Sequence, residues 1–415
     1  MRAPRSSQPL LEQLVLSVFA DDKPYTRADI EAATGLSRAV VTGVVAQLLD
    51  DKELGVVDPP QGTGRRGRPS TLYRRVALAA PVNLVQLDKG YRTRLARIDH
   101  AKVTWADADA VAPWSEGWSR WSASLSEHLA ALDDDADARP APDLIVAAPW
   151  PVVRGHGAPR PHNRAAPQPR RLPLHDPLKL VIPDWLLEDP CPPIHQLTGQ
   201  HVQLVNDANL AALGEASGGG TAGQRSLLYV LVQDGVGAGL VIDGRIIEGA
   251  HGMTGELAHV QVTDDGPFCI CGNRGCLATQ TQDPRILEVL SAQYAHPMTW
   301  SDVEDLVTTR DVLALRVLRE LGRLIGRALA ATLTVLDVDA VVLDGRLGPA
   351  ATPLLEGLRL ELDHRCPPTI AGAVDLTLGQ LTMPLVQGAW AAAQQRRQAS
   401  RSPLPGRRVA SPGPA

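Results

Sequence analysis

The chain has 415 residues, 44% apolar and 21% charged, and a formal net charge of -5. That length holds more than one hydrophobic core, so two or three domains are expected. No apolar run approaches the ~20 residues that span a bilayer, which points to a soluble, cytoplasmic protein without a membrane partner; the acidic balance confines any nucleic-acid binding to a local basic footprint.

That footprint lies near the N-terminus. Residues 1–9 lack apolar periodicity and read as a mobile lead-in. From Leu10, apolar residues at Leu11, Leu14, Val15 and Val18 recur at helical spacing until the Asp21-Asp22-Lys23-Pro24 cluster. Thr26 with Asp29 three residues later is a capping signal for a second helix, which Gly35 stops. Ser37 then caps a third, with Val40, Val41, Val44, Val45 and Leu48 turned inward. Two β segments follow around a glycine-rich tip, with five arginines and no acid between Gln61 and Arg75. Residues 10–78 therefore read as a winged helix-turn-helix for double-stranded DNA. On its third helix Ser37, Arg38, Thr42 and Gln47 face outward and can reach bases or phosphates, while Arg65, Arg66 and Arg68 in the tip suit a narrow A·T-rich minor groove. A plain three-helix bundle with a solvated basic loop is the competing reading.

Pro81 opens a second domain, expected over 81–398. Three alternating strands over 82–111, a helix over 114–132 and the apolar strand Asp143–Pro149 come first. Val153–Leu180 is rich in Pro, Arg and His and reads as an insertion, not a core element. A strand ending at Asn206-Asp207 leads straight into a helix, which is where α/β folds place ligands; a simple helix cap by Asp207 is the blander use. A glycine-dense hairpin spans 226–247. Helices are expected over 283–294, 300–306 and 311–337, the last with an apolar face wide enough for core packing or for a second copy. Residues 384–398 end the folded part, and 399–415 read as a disordered tail.

Between Gly255 and Cys276 the chain offers His259, Cys269, Cys271 and Cys276, with Gly272 and Gly275 to let the backbone turn. One imidazole and three thiols are a donor set for tetrahedral zinc, of the closed, structural kind. Reduced thiols without metal are the alternative.

The segments Glu256-Leu-Ala-His259, Cys269-x-Cys271-Gly-Asn-Arg-Gly-Cys276 and Asn206-Asp207-Ala-Asn209-Leu-Ala-Ala-Leu-Gly214-Glu215 resemble the ROK family of bacterial sugar repressors and sugar kinases, over about Leu144 to Trp390. The resemblance implies a two-lobed, actin-like and sugar-kinase-like α/β fold. It also implies that Asn206, Asp207, Glu256 and His259 face a sugar, with Asp207 where the kinases have their base. Several positions depart from the kinases. Asp88-Lys-Gly90-Tyr91-Arg92 stands where they hold phosphate with Asp-x-Gly-Gly-Thr, which implies that Tyr91 and Arg92 fill that cradle. Gln233-Asp234-Gly235 replaces Gly-Thr-Gly, and Asp344 and Arg346 interrupt a turn presented to adenosine. On the sugar side, Ala278 replaces a glutamate, and of an Asn-Leu-Pro-x-Trp segment only Ile182-Pro183-Asp184-Trp185 matches.

Together these readings describe a transcriptional regulator, most simply a repressor. It would act as a homodimer or homotetramer on a palindromic operator, with zinc as its metal, no catalytic residue, and a sugar or sugar phosphate as effector. The rivals are a sugar kinase with an accessory DNA-binding domain, and a sugar-independent regulator whose lobes dock another protein.

Overall fold

In the computed structural model the described residues are 8–19, 23–50, 54–57, 71–75, 80–99, 102–107, 109–132, 142–152, 184–187, 189–233, 235–281, 283–294, 296–345 and 347–401. Arg65, Arg66, Arg68, the insertion Val153–Leu180, Ile182, Pro183, Asp234, Arg346 and the tail beyond 401 lie outside them.

The N-terminal unit contains α1 (Gln8–Ser17), α2 (Arg27–Thr34) and α3 (Arg38–Asp50), with β1 (Tyr25–Thr26), β2 (Leu54–Val57) and β3 (Leu72–Arg75). The first helix starts two residues before Leu10. Thr26 and Asp29 form a reciprocal capping box on α2, and Gly35 ends that helix in the left-handed region at φ 68°. The strands pair antiparallel in the order β1-β3-β2. Val15, Phe19, Ile30, Val41, Val44, Val45, Leu48, Leu54 and Tyr73 close one small core between helices and sheet.

The rest of the chain builds two sheets with one topology. In the first lobe β4 (Val82–Leu87), β5 (Thr93–Asp99) and β6 (Lys102–Trp105) form an antiparallel meander, and β7 (Asp143–Ala148) and β8 (His201–Asn206) add parallel strands, giving the order β6-β5-β4-β7-β8. In the second lobe β9 (Ser226–Val232), β10 (Val236–Ile242), β11 (Arg245–Ile246), β12 (Ala340–Gly345) and β13 (Asp375–Leu378) repeat the pattern with the same strand senses, as β11-β10-β9-β12-β13. All six residues of β7 are buried, as a central parallel strand covered on both faces requires.

Helices α4 (Trp118–Ala131), α5 (Asp184–Leu187) and α6 (Cys191–Thr198) belong to the first lobe. Gly117, at φ 91°, separates α4 from a short 3-10 turn at 114–116, so the expected helix over 114–132 is broken. Trp185 packs on Trp121 at 4.7 Å and Trp118 at 5.4 Å between ring centroids. It therefore packs against the core beneath α4.

Between the sheets lie α7 (Asp207–Gly218) and, further along the chain, α14 (Pro384–Arg401), which runs three residues past the expected end at 398. Leu210 of α7 and Val386, Ala389 and Ala393 of α14 join the first lobe's core, while Ala211, Ala212 and Leu213 join the second lobe's. The helices touch backbone to backbone: a Cβ on Gly214 would lie 2.0 Å from the Pro384 carbonyl oxygen, and one on Gly388 1.8 Å from that of Leu210. The second lobe is completed by α8 (Ala278–Thr281), α9 (Asp283–Tyr294), α10 (Trp300–Thr308), α11 (Val312–Leu336), α12 (Ala351–Arg365) and α13 (Pro368–Ala373). The apolar face of α11 is taken up inside this lobe. Leu318, Leu321, Ile325, Leu329 and Leu333 are buried in its core, and Gly322 and Gly357 bring the α11 and α12 backbones together. Core packing within the lobe accounts for the buried part of that face.

Candidate functional site

The metal-type cluster forms because the loop after Glu256 folds on itself. Two isolated bridges, Gln261 with Cys276 and Phe268 with Arg274, draw its arms together. The Cys269 amide donates to the Asn273 carbonyl at 2.7 Å and the Gly272 amide to that of Cys269 at 2.9 Å. Gly275 stands at φ 63° with room for no side chain, since a Cβ would lie 1.8 Å from the Thr263 carbonyl oxygen. The result places one donor atom each from His259, Cys269, Cys271 and Cys276 within 4.8 Å of one another.

Two of the six donor separations come close to those of a tetrahedral ion, and the rest lie within 4.8 Å. With Zn–S of about 2.3 Å and Zn–N of about 2.0 Å, a tetrahedron has edges of roughly 3.5–3.8 Å. Cys271 and Cys276 Sγ are 3.6 Å apart, and Cys269 Sγ is 3.4 Å from His259 Nδ1. Among the described residues no cysteine forms a disulfide. With protons on the thiols, burial first and the neighbouring Cys271 second push Cys276 up to about 12. A dication reverses that, because a coordinated thiol is deprotonated. His259 is held below the usual histidine range, by burial and then by the Lys89 charge, and so favours the neutral form that a metal ligand needs. The loop is also braced from behind. Glu361 is buried and accepts from Arg323, Arg327 and Arg365, and Arg327 donates onward to the Val262 carbonyl at 2.9 Å.

The other imidazole nitrogen turns to the cleft. His259 Nε2 lies 3.8 Å from a Glu256 carboxylate oxygen, too far for a direct hydrogen bond and wide enough to share a hydroxyl or a water. Asp207 stands at the start of α7, its carboxylate accepting from the Ala208 amide at 2.7 Å. Burial pushes its carboxyl up to about 6, against the opposing Ala208 amide and Lys89. Asn206, not Asp207, caps the helix: its side-chain oxygen accepts from the Asn209 amide at 3.1 Å, and its nitrogen donates to the Trp150 carbonyl at 3.2 Å. Asn206 thus positions the turn that presents Asp207.

The turn after β4 differs from its sequence reading. Arg92 folds back onto Asp88, with its amide and Nε each 2.9 Å from a carboxylate oxygen, and the Tyr91 ring stacks on Trp114 at 5.0 Å. The Tyr91 ring leaves the turn, while Arg92 stays over it, its Nε 3.9 Å from where a Cβ on Gly90 would lie. Lys89, which sequence reasoning passed over, reaches across instead: a Cβ on Gly235 would lie 3.3 Å from its Nζ, and its charge bears on Asp207, Glu256 and His259 together. Asp344 is likewise turned inward, accepting from the Tyr229 hydroxyl at 2.5 Å and from the Gly345 amide at 2.6 Å. Beside that turn, Val232, Trp300, Leu318, Ile325, Leu347 and their neighbours line a cavity of about 130 Å³. Ala278, where a sugar-facing glutamate is absent, is buried at the start of α8.

On the N-terminal unit, Ser37, Arg38 and Thr42 are exposed along one face of α3, opposite the buried Val41, Val44, Val45 and Leu48. Gln47 is half-buried and already engaged.

Two lobes of one topology, with a strand-to-helix carboxylate and a His/Cys₃ loop between them, define a sugar-kinase-like α/β protein. Residues 180–366 match the model of the ROK family, and the chain carries a ROK family domain. It is 28% identical to the xylose repressor of Bacillus subtilis over 182 residues, 43% of this chain and 47% of that protein. It is 29% identical to a glucokinase of Halalkalibacterium halodurans over 207 residues, 46% of this chain and 63% of the enzyme. The chain thus spans about half the length of the curated relatives it matches. Among solved structures, a ROK family transcriptional regulator, a homologue of the Escherichia coli Mlc protein, superposes over 95% of this chain and 97% of its own with a TM-score of 0.70 at 20% identity, a likeness of fold.

Proposed function

We propose that this protein is a DNA-binding transcriptional regulator, most simply a repressor, whose ROK lobes sense a sugar-type ligand. The N-terminal unit is a winged helix-turn-helix in this reading. Ser37, Arg38 and Thr42 meet the major groove, and Arg65, Arg66 and Arg68 meet the flanking minor groove. It works in the cytoplasm as a homodimer or homotetramer on a palindromic operator. Zinc, held by His259, Cys269, Cys271 and Cys276, fixes the imidazole whose far nitrogen faces the ligand; Glu256 and Asp207 accept its hydroxyls, and Asn206 sets the turn. The observation that carries the proposal is the joining of a three-helix, three-stranded unit with an exposed polar helix face to lobes of the ROK type.

The rival, an ATP-dependent sugar kinase, draws on Asp207 and on the glucokinase relatives. Against it stands Asp344, turned inward onto the Tyr229 hydroxyl at the turn that in the kinases faces adenosine. The test pairs two titrations of one preparation. Mobility shift on duplex DNA should show saturable binding that weakens in Arg38→Ala/Thr42→Ala, and calorimetry with a non-hydrolysable ATP analogue should show none. Nucleotide binding together with phosphorylation of a hexose, lost in Asp207→Asn, would reverse the assignment.

A further inference from the structure

The arginines that converge on Glu361 behind the metal loop are not equivalent. Glu361 lies on α12 where that helix passes close to α11: it is 1% exposed, and a Cβ on Gly326 would lie 2.9 Å from its own Cβ. Arg323 donates to its carboxylate at 3.1 Å, Arg365 at 2.5 Å and Arg327 at 3.3 Å, each through Nε. Arg323 also meets Glu320 at 3.2 Å, and among the described residues neither it nor Arg365 reaches the loop. Arg327 does, because its Nη1 donates onward to the Val262 carbonyl at 2.9 Å. Val262 sits where the two arms of the loop are joined. Its amide donates to the Gly275 carbonyl at 2.8 Å and the Leu277 amide donates to that of Val260 at 2.9 Å, so Cys276 is held between these two bonds. His259 precedes this segment and Cys269 follows it.

From this arrangement we infer that Arg327 is a positioning residue for the metal: it touches no ligand atom, yet it sets how firmly the loop retains zinc. The inference rests on the zinc reading of the loop and assigns that retention to a side chain outside it. A planar guanidinium with one donor on a fixed carboxylate and another on a loop carbonyl sets the distance from the helix pair to the loop. Without it the buried Val262 loses the donor to its carbonyl, and water replaces that donor only if the segment shifts outward, carrying Gly275 and Cys276 with it. Donor atoms that must stay near tetrahedral spacing tolerate little of such a shift. Arg323 and Arg365 share the carboxylate but steady only the helix pair.

The experiment follows zinc release from the full-length protein to excess pyridylazoresorcinol, a chromogenic chelator, for wild type, Arg327→Met, Arg327→Lys, Arg323→Met and Arg365→Met, beside the Tm of each. Groups that orient metal ligands from outside are typically worth tenfold or more in retention, so Arg327→Met should release zinc at least about tenfold faster than wild type. Arg327→Lys keeps a donor for the carbonyl and should stay within about threefold of wild type. Arg323→Met and Arg365→Met should also stay within about threefold, even where they melt as low as Arg327→Met. In the cobalt(II)-substituted protein, Arg327→Met should shift the visible bands of the metal, and the other two methionine variants should leave them in place. Release from Arg327→Met at the wild-type rate overturns the inference. Equal acceleration in all the methionine variants also overturns it, because the cluster would then support the lobe and nothing more. Should Arg327→Met not fold, Arg327→Gln, too short to span Glu361 and Val262, takes its place with the same outcomes. Wild type that neither carries zinc nor takes up one equivalent removes the zinc reading itself, and the inference with it.

Discussion

Arg397, near the end of α14, is buried and ties three segments together. Its Nε donates to Asp143 at 2.7 Å, Nη1 to the Ala80 carbonyl at 2.7 Å and Nη2 to the Pro81 carbonyl at 3.0 Å. Asp143 opens β7, and Ala80 and Pro81 begin the chain's entry into the first lobe, so one guanidinium clamps the linker from the N-terminal unit to the sheet. Replacing Arg397 by Ala leaves a buried carboxylate with Arg396 at 2.5 Å as its close partner and two carbonyls without this donor. Removing one partner of a buried pair costs about 3–5 kcal/mol, and because Arg396 remains, about 3 kcal/mol is expected. For lobes of this size that is a fall in Tm of roughly 6–12 °C. Arg397→Lys keeps the charge but not the fork, and should fall between. Asp143→Asn/Arg397→Met should recover part of the loss, since no buried carboxylate is left short of a donor; recovery is incomplete because Arg396 loses its own partner. Thermal unfolding followed by circular dichroism reads all four. An Arg397→Ala protein that melts within a degree of wild type would show that the clamp carries no stability and refute the reasoning.

Three further predictions concern the sites. Purified without chelators, the protein should carry close to one zinc per chain by elemental analysis, and Cys276→Ser should lose it and lower Tm; full retention would break the His/Cys₃ assignment. Burial raises the Asp207 carboxyl from 3.8 to about 6, so the folded protein holds that proton more tightly than the unfolded chain. Its favourable contribution is complete below about pH 4 and gone above about pH 6, so wild type should lose stability relative to Asp207→Asn as pH rises across that window, and a constant difference between their denaturation curves would contradict the burial. DNA affinity should drop steeply between about 50 and 200 mM salt and should fall for every sequence in Arg66→Ala/Arg68→Ala, with a shallower salt slope; an unchanged slope would remove the wing from the interface.

The local patterns were legible in the sequence. The capping box at Thr26 and Asp29, the inward valines of α3 and the ligand spacing of the metal loop depend on residues a few positions apart, and each appears where its pattern put it. What sequence could not supply was direction across long separations. Tyr91 and Arg92 both read as cradle-filling because they are bulky; Arg92 does stay over the turn on Asp88, but Tyr91 finds Trp114, and it is Lys89 that reaches the Gly235 turn. Nothing near Trp185 in the chain announces its neighbours, Trp118 and Trp121, which lie on a helix more than sixty positions earlier. The face of α11 was ambiguous because an apolar stripe looks the same against α12 as against another molecule. The small residues that settle it, Gly322 and Gly357, matter only once the two helices are seen in contact.

The measurement that bears most directly on the account is recovery of DNA by the purified full-length protein from fragmented genomic DNA of its source, followed by sequencing, beside the Arg66→Ala/Arg68→Ala variant. A reader of duplex DNA acting as a symmetric pair should enrich a small set of sites sharing an inverted repeat with A·T-rich flanks, and the variant should lose that enrichment. Recovered DNA indistinguishable from the input, from protein that is folded and binds an ATP analogue, would contradict the account.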